Sequence, residues 1–125
     1  MPDTRPTPTS PTLAGSTGLL KAFADPVRLR LLNLLAEDRE ICVCHLHEAL
    51  GLPQPTVSRH LAYLRKHGLV VGRKEGLWVH YRLAKPKSSL HRTLVDSLET
   101  CLHELDVFQA DRHRLARAVS CCDGT

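Results

Sequence analysis

Apolar residues recur at helical spacing along much of the chain, and the spacing changes to two only once. Leu19-Leu20-Lys21-Ala22-Phe23 starts a short helix. Val27, Leu31, Leu34 and Leu35 then follow at helical intervals, with Leu32 widening the apolar face. Asp25 supplies an N-cap for this second helix, and Pro26 sits at its first position, where a missing N–H does no harm. Polar Glu37-Asp38-Arg39 loops out. A third helix is expected over roughly Cys42 to Leu50, ended by Gly51 as a left-handed C-cap. Leu52-Pro53-Gln54 makes a turn into a fourth helix, from about Pro55 to His67, which Gly68 closes. The period then becomes two. Leu69 to Arg73 and Leu77 to Leu83 read as strands, with Lys74-Glu75-Gly76 as the hairpin tip. Lys85-Pro86-Lys87 breaks the pattern. Ser88 or Ser89 then caps a long amphipathic helix with Leu90, Leu94, Leu98, Cys101, Leu102, Leu105 and Phe108 on one face. A short helical piece, about Arg112 to Val119, leads to Cys121-Cys122 near the end. This order predicts a mainly α fold with a small β-hairpin, a winged helix-turn-helix.

With 125 residues the chain suits one domain, and a core of that size gains from oligomerisation. Aromatics are only 4%, so Leu, Val and Ala must fill the core. Residues 1–16, rich in Pro, Thr and Ser, read as a flexible arm. The expected layout is this arm, a DNA-binding and dimerisation domain over 17–110, and a tail over 111–125 with a vicinal cysteine pair. Formal charge is a modest +4, but its distribution matters more. Between Gln54 and Arg82 stand Arg59, Arg65, Lys66, Arg73, Lys74 and Arg82 against the single acid Glu75, which favours a polyanion partner. No apolar run is long enough to span a bilayer, and the first residues lack a secretory-signal pattern. A cytoplasmic location is therefore expected, where thiols stay reduced. Five cysteines, an odd number, argue against a disulfide framework, so Cys42-Val43-Cys44 reads as metal or redox chemistry.

The fourth helix has the polar N-terminal end that groove reading requires. Gln54, Thr56, Ser58, Arg59 and His60 can face bases or phosphates, while Val57, Leu61 and Leu64 pack inward. Arg65 and Lys66 suit the phosphate backbone, and Arg73 and Lys74 on the hairpin can reach an adjacent groove. A solvated helix face would look similar by itself; the preceding turn, the basic window and the wing together favour DNA. No nucleophile-base-orienter set and no His-Glu-x-x-His run occurs, so neither catalysis nor a catalytic cofactor is expected.

Five ordered stretches carry a resemblance: Ala24 to Leu32, Glu40 to Leu46, Gln54 to Leu61, Leu64 to Val70 and Gly76 to Leu83. Together they resemble the ArsR/SmtB family of metal-responsive repressors over about residues 19–105. The resemblance implies a homodimer, joined through its terminal helices, that binds double-stranded operator DNA of a resistance operon and leaves it when a metal or metalloid binds. Cys-Val-Cys is most similar to the arsenite-responsive branch, which implies trivalent arsenic as inducer, with antimony possible. Cys42 and Cys44 are then two ligands. If both are helical they are rotated by roughly 200° from each other. Sharing one ion would then require the first turn to unwind or bend, tilting the helix packed against it.

Where that branch commonly carries a third cysteine this chain has His47, whose imidazole suits zinc or copper better than arsenic. Cys101, Cys121 and Cys122 remain as further ligand candidates. Cys101 lies on the apolar face of the expected last helix and reads first as a small buried hydrophobe. Cys121 and Cys122 could close over the first pair or bind a metalloid themselves. Two alternatives stand beside the arsenic reading. A cadmium, lead or zinc sensor is one, although the arm carries no thiol and the spacing of His91, Asp96 and His103 fits no trusted zinc pattern. A repressor switched by oxidation of Cys42 and Cys44, or of Cys121 and Cys122, is the other.

Overall fold

The computed structural model describes residues 12–37 and 39–123, the side chains of residues 120–123 excepted. Its elements are α1 (Leu13–Phe23), α2 (Pro26–Leu35), β1 (Ile41–Cys42), α3 (Val43–Leu50), α4 (Gln54–Lys66), β2 (Val70–Glu75), β3 (Trp78–Leu83), α5 (Ser89–Thr100) and α6 (Asp106–Asp123). The local signals act as expected. Asp25 accepts the Arg28 N–H at 3.0 Å to cap α2, and Ser88 accepts the His91 N–H to cap α5. Gly51 ends α3 at φ 68°, a left-handed conformation that glycine adopts without steric cost.

β2 and β3 form the wing, joined through Gly76 and Leu77, with Glu75 opposite Trp78. The hairpin tip is thus one residue later than the sequence suggests. β1 adds a third antiparallel strand in the order β1-β3-β2. This strand was absent from the sequence reading, which put Cys42 inside the third helix. Cys42 instead has extended backbone (φ −65°, ψ 140°) opposite His80, and α3 starts one residue later. The wing lends β1 a hydrogen-bonded edge, and this outweighs the small gain of one more helical residue.

Leucines dominate the core as the composition requires: Leu31, Leu32, Leu34, Leu35, Leu46, Leu61, Leu64, Leu69, Leu98 and Leu115 are fully buried with Phe108. Each such side chain contributes roughly 1.5–3 kcal/mol by leaving water. The single long last helix does not exist. α5 stops at Thr100, where the Cys101 and Leu102 N–H groups both donate to the Ser97 carbonyl (2.9 and 3.0 Å). The hydroxyls of Ser97 and Thr100 bond to the Leu94 and Asp96 carbonyls within the same final turns. After the bend, α6 folds against α2 and α3 and buries Phe108, Asp111, Leu115 and Ala118. It passes through the boundary expected at 110/111. Cys101 caps α5 and is exposed, which corrects its assignment to a buried apolar face. α1 likewise starts at Leu13, inside the expected arm; residues 1–11 lie outside the described residues.

Candidate functional site

α3 and α4 form the helix-turn-helix. Hydrogen bonds close their turn, among them Gly51 N–H to the Glu48 carbonyl (3.1 Å), Leu52 N–H to the His47 carbonyl (3.1 Å), and His47 Nδ1 to the Leu52 carbonyl (3.2 Å). His47 is therefore occupied at the turn, one helical turn along α3 from Cys44. Among the described residues it forms no metal-ligand cluster with the two thiols.

Val57, Leu61 and Leu64 anchor α4 in the core. This leaves Arg59, Arg65 and Lys66 exposed and Gln54, Thr56 and Ser58 half-buried at the N-terminal end. Gln54 Nε2 donates to Ser58 Oγ at 2.7 Å, ordering two of the expected base-facing groups before any partner arrives. His60 has neighbours at the start of α2. Its Nδ1 lies 3.8 Å from Asp25 Oδ2 and 3.5 Å from Arg28 Nη1, so the ring is turned toward α2. Arg28 also sits 4.1 Å above the Tyr63 ring and donates to the Ala22 and Lys21 carbonyls, tying α1, α2 and α4 together. His67 packs on Tyr63, and burial lowers its pKa below the ordinary histidine value.

On the wing, Lys74 is exposed, but Arg73 is already engaged by two carboxylates. Its Nε donates to Glu40 Oε1 and Oε2 (3.0 and 3.1 Å), and its Nη1 donates to Glu75 Oε2 at 2.6 Å. These bonds hold both carboxyls below the usual glutamate range and raise the guanidinium further. Of the nine side chains expected at DNA, His60 and Arg73 thus have intramolecular partners that compete for them.

The thiols come together more closely than helix geometry predicts. Cys42 is the N-cap of α3, its Sγ accepting the Cys44 N–H at 3.3 Å, and the two sulfurs lie 2.7 Å apart. The expected rotation of roughly 200° does not apply, because only Cys44 is helical. With metal–sulfur bonds of ~2.3 Å, two thiolates on one ion stand about 3.3–3.8 Å apart. Because Cys42 lies outside the helix, both sulfurs face one centre without the unwinding expected from sequence. Cys42 is buried and Cys44 half-buried. Among the described residues no third Cys, His, Asp or Glu joins the pair, Cys101 included. Cys121 and Cys122 fall on the last turn of α6, and their side chains lie outside the described residues.

A buried charge cluster, missed in the sequence, holds the other end of α3. Asp111, fully buried, accepts two bonds from Arg30 (2.8 Å each) and one from Arg114. Arg30 and Arg114 also donate to the Leu50 and Ala49 carbonyls, the last two of α3. Asn33 donates to the Phe108 carbonyl and accepts from Arg112. The apolar rhythm of Phe108, Leu115 and Ala118 was the available signal for this helix; nothing local marks Arg30 as the partner of a residue 81 positions away.

A helix-turn-helix with a basic recognition helix and a hairpin wing defines a winged-helix DNA-binding protein. The family model for bacterial regulatory proteins of the arsR family matches residues 25–71. The arsenical resistance operon repressor of Escherichia coli (strain K12) is 44% identical over 99 residues, covering 79% of this chain and 83% of that protein. Two solved structures agree. The homodimeric winged helix-turn-helix DNA-binding domain Mb0332 of Mycobacterium bovis has a TM-score of 0.61 at 33% identity, covering 74% of this chain and 82% of that one. The AntR antimony-specific transcriptional repressor has a TM-score of 0.60 at 29% identity, covering 83% and 96%. The chain belongs to the arsR family and is a DNA-binding transcriptional repressor, not an enzyme. Among the described residues no helix is long and apolar enough to cross a membrane.

Proposed function

We propose that this protein is a homodimeric repressor of a metalloid-resistance operon. It leaves its operator when trivalent arsenic, or antimony, binds the Cys42 and Cys44 thiolates. The observation that carries this reading is the 2.7 Å separation of two sulfurs at the head of the helix that leads into the recognition helix. Two adjacent soft thiolates suit a thiophilic ion that needs few ligands. The resemblance to an arsenical resistance repressor and an antimony-specific repressor supports the metalloid, and the homodimeric neighbour supports the dimer.

In this reading Gln54, Thr56, Ser58 and Arg59 face the major groove, and Arg65, Lys66 and Lys74 neutralise phosphates. His60 and Arg73 contact DNA only by exchanging their present partners. Cys42 and Cys44 are the primary ligands. Cys121 and Cys122 are the candidates for completing the coordination, and Cys101 ranks behind them because it shares no cluster with the pair.

Operator binding measured by fluorescence anisotropy, with arsenite, antimonite, cadmium and zinc added in turn, tests the reading. Arsenite or antimonite should release the wild type but not Cys42→Ser or Cys44→Ser. Cys121→Ser and Cys122→Ser should weaken the response if the α6 thiols complete the site. Release of the Cys42→Ser, Cys44→Ser double variant by arsenite would overturn the assignment, and release by cadmium or zinc alone would assign a different inducer.

A further inference from the structure

Cys42 belongs to two structures at once. Its sulfur caps α3, while its backbone lies in β1. β1 and β2 flank β3, and the register makes one lateral row across the sheet: Cys42 opposite His80, and His80 opposite Arg73. Glu40, two residues before Cys42, reaches over β3 to grip Arg73 on β2 through Nε and Nη2, a bidentate pairing. The outer strands of the sheet are therefore joined twice, by the ladders through β3 and by this bridge above it. Exposed ion pairs contribute little to stability as a rule. Their geometry still fixes relative position, and here it fixes a two-residue strand carrying a thiol to the strand carrying the wing.

We propose that the wing is a second output of the thiol site, and that Glu40 is the positioning residue that connects them. The proposal rests on the inducer reading above. Seating an ion on both sulfurs ties Cys42 to Cys44 through one centre, about 3.3–3.8 Å from each other. Cys44 sits in the first turn of α3, whereas Cys42 sits on the two-residue β1, which is paired to β3 at both positions, so a shift of Cys42 is passed to the sheet. This displacement drags Glu40, disturbs the grip on Arg73, and shifts the wing. DNA release then draws on the wing contact of Lys74 as well as on the recognition helix.

The chain carries its own reporter, because Trp78, its single tryptophan, stands half-exposed at the wing tip opposite Glu75. Arsenite is titrated into the full-length protein without DNA, reading near-ultraviolet arsenic–thiolate absorbance and Trp78 emission together. In the wild type both should saturate at the same arsenite concentration. In Glu40→Gln the absorbance should saturate as before while the emission change is lost. The arsenite-driven loss of operator affinity should also shrink, by at least the ~5-fold lower bound of typical site coupling. Glu40→Asp, which keeps a carboxylate, should retain part of both responses, and Arg73→Gln should repeat the Glu40→Gln result. Absorbance without any emission change in the wild type, or an undiminished emission change in Glu40→Gln, overturns the wing connection alone. No absorbance change at all removes the inducer reading and this proposal with it.

Discussion

The two ends of α3 are held by opposite kinds of chemistry. At its C-terminal end the last carbonyls take guanidinium bonds from Arg30 and Arg114, both fixed on the buried carboxylate of Asp111, and Gly51 closes the helix. At its N-terminal end a sulfur is the cap, the neighbouring strand has two residues, and the nearest charged contact is the exposed bridge from Glu40 to Arg73. One end is anchored by groups that cannot leave without stranding a buried charge. The other has a thiol cap and an exposed ion pair, with Ile41, Cys42 and Val43 packed in the core and no buried charge. In the proposed function the first end is the fixed one and the second is the end that takes the inducer.

The strongest way to break this contrast is Asp111→Ala. Removing one member of a buried ion pair typically costs 3–5 kcal/mol, and Arg30 keeps some contact with water, so about 3 kcal/mol is expected in urea unfolding. A loss under about 1 kcal/mol would mean that the C-terminal end is not anchored. Asn33→Ala removes the bond to the Phe108 carbonyl and the acceptor for Arg112; leaving buried groups unpaired should cost about 1–3 kcal/mol. Gly51→Ala forces a Cβ into the left-handed region with open space around it, so only the backbone term of about 1 kcal/mol should appear.

Acid sharpens the comparison because it acts on neither end. Burial holds the imidazoles of His67 and His91 below the ordinary value of 6.5, so both resist protonation in the folded state. The unfolded chain takes up protons once pH falls below about 6.5, which draws the equilibrium toward unfolding. Stability should be full above that pH and decline beneath it. Thermal melts at pH 7.5 and 5.5 should show a drop that is shallower in His91→Gln; an equal drop would exclude His91. Smallest of all should be Cys42→Ser. A hydroxyl is itself a good N-cap, so unfolding in urea should shift by about 0.5 kcal/mol or less while the response to arsenite disappears. A large loss of stability in that variant would mean that the thiol end is a structural anchor after all.

Much of this architecture is legible in the sequence because it is written locally. Asp25-Pro26, Gly51, Gly68 and the alternation from Trp78 to Leu83 each act within a few residues, and α2, α4 and the wing follow from them. What could not be read is what distant residues decide. A strand of two residues has no period to detect, so β1 exists only because β3 offers it an edge. The apolar stripe from Leu90 to Phe108 continues at helical spacing across residues 101–105, yet Phe108 and Leu115 gain more by turning back onto α2 and α3. The site shows the same division. Residue type alone singled out Cys42 and Cys44, but their contact depends on Cys42 leaving the helix. Glu40 as a partner of Arg73 and Arg28 as a neighbour of His60 lie 33 and 32 residues away, beyond any local pattern.

The stapled turn between α3 and α4 has a mechanical consequence. With His47, Glu48, Gly51 and Leu52 bonded across it, bending the corner would break these hydrogen bonds. The two helices then behave as a bell crank pivoted near Asp111, with the sulfurs on one arm and Arg59 on the other. In the proposed function a tilt imposed on α3 at the sulfurs would pass to the recognition helix through this corner, beside the path through the wing.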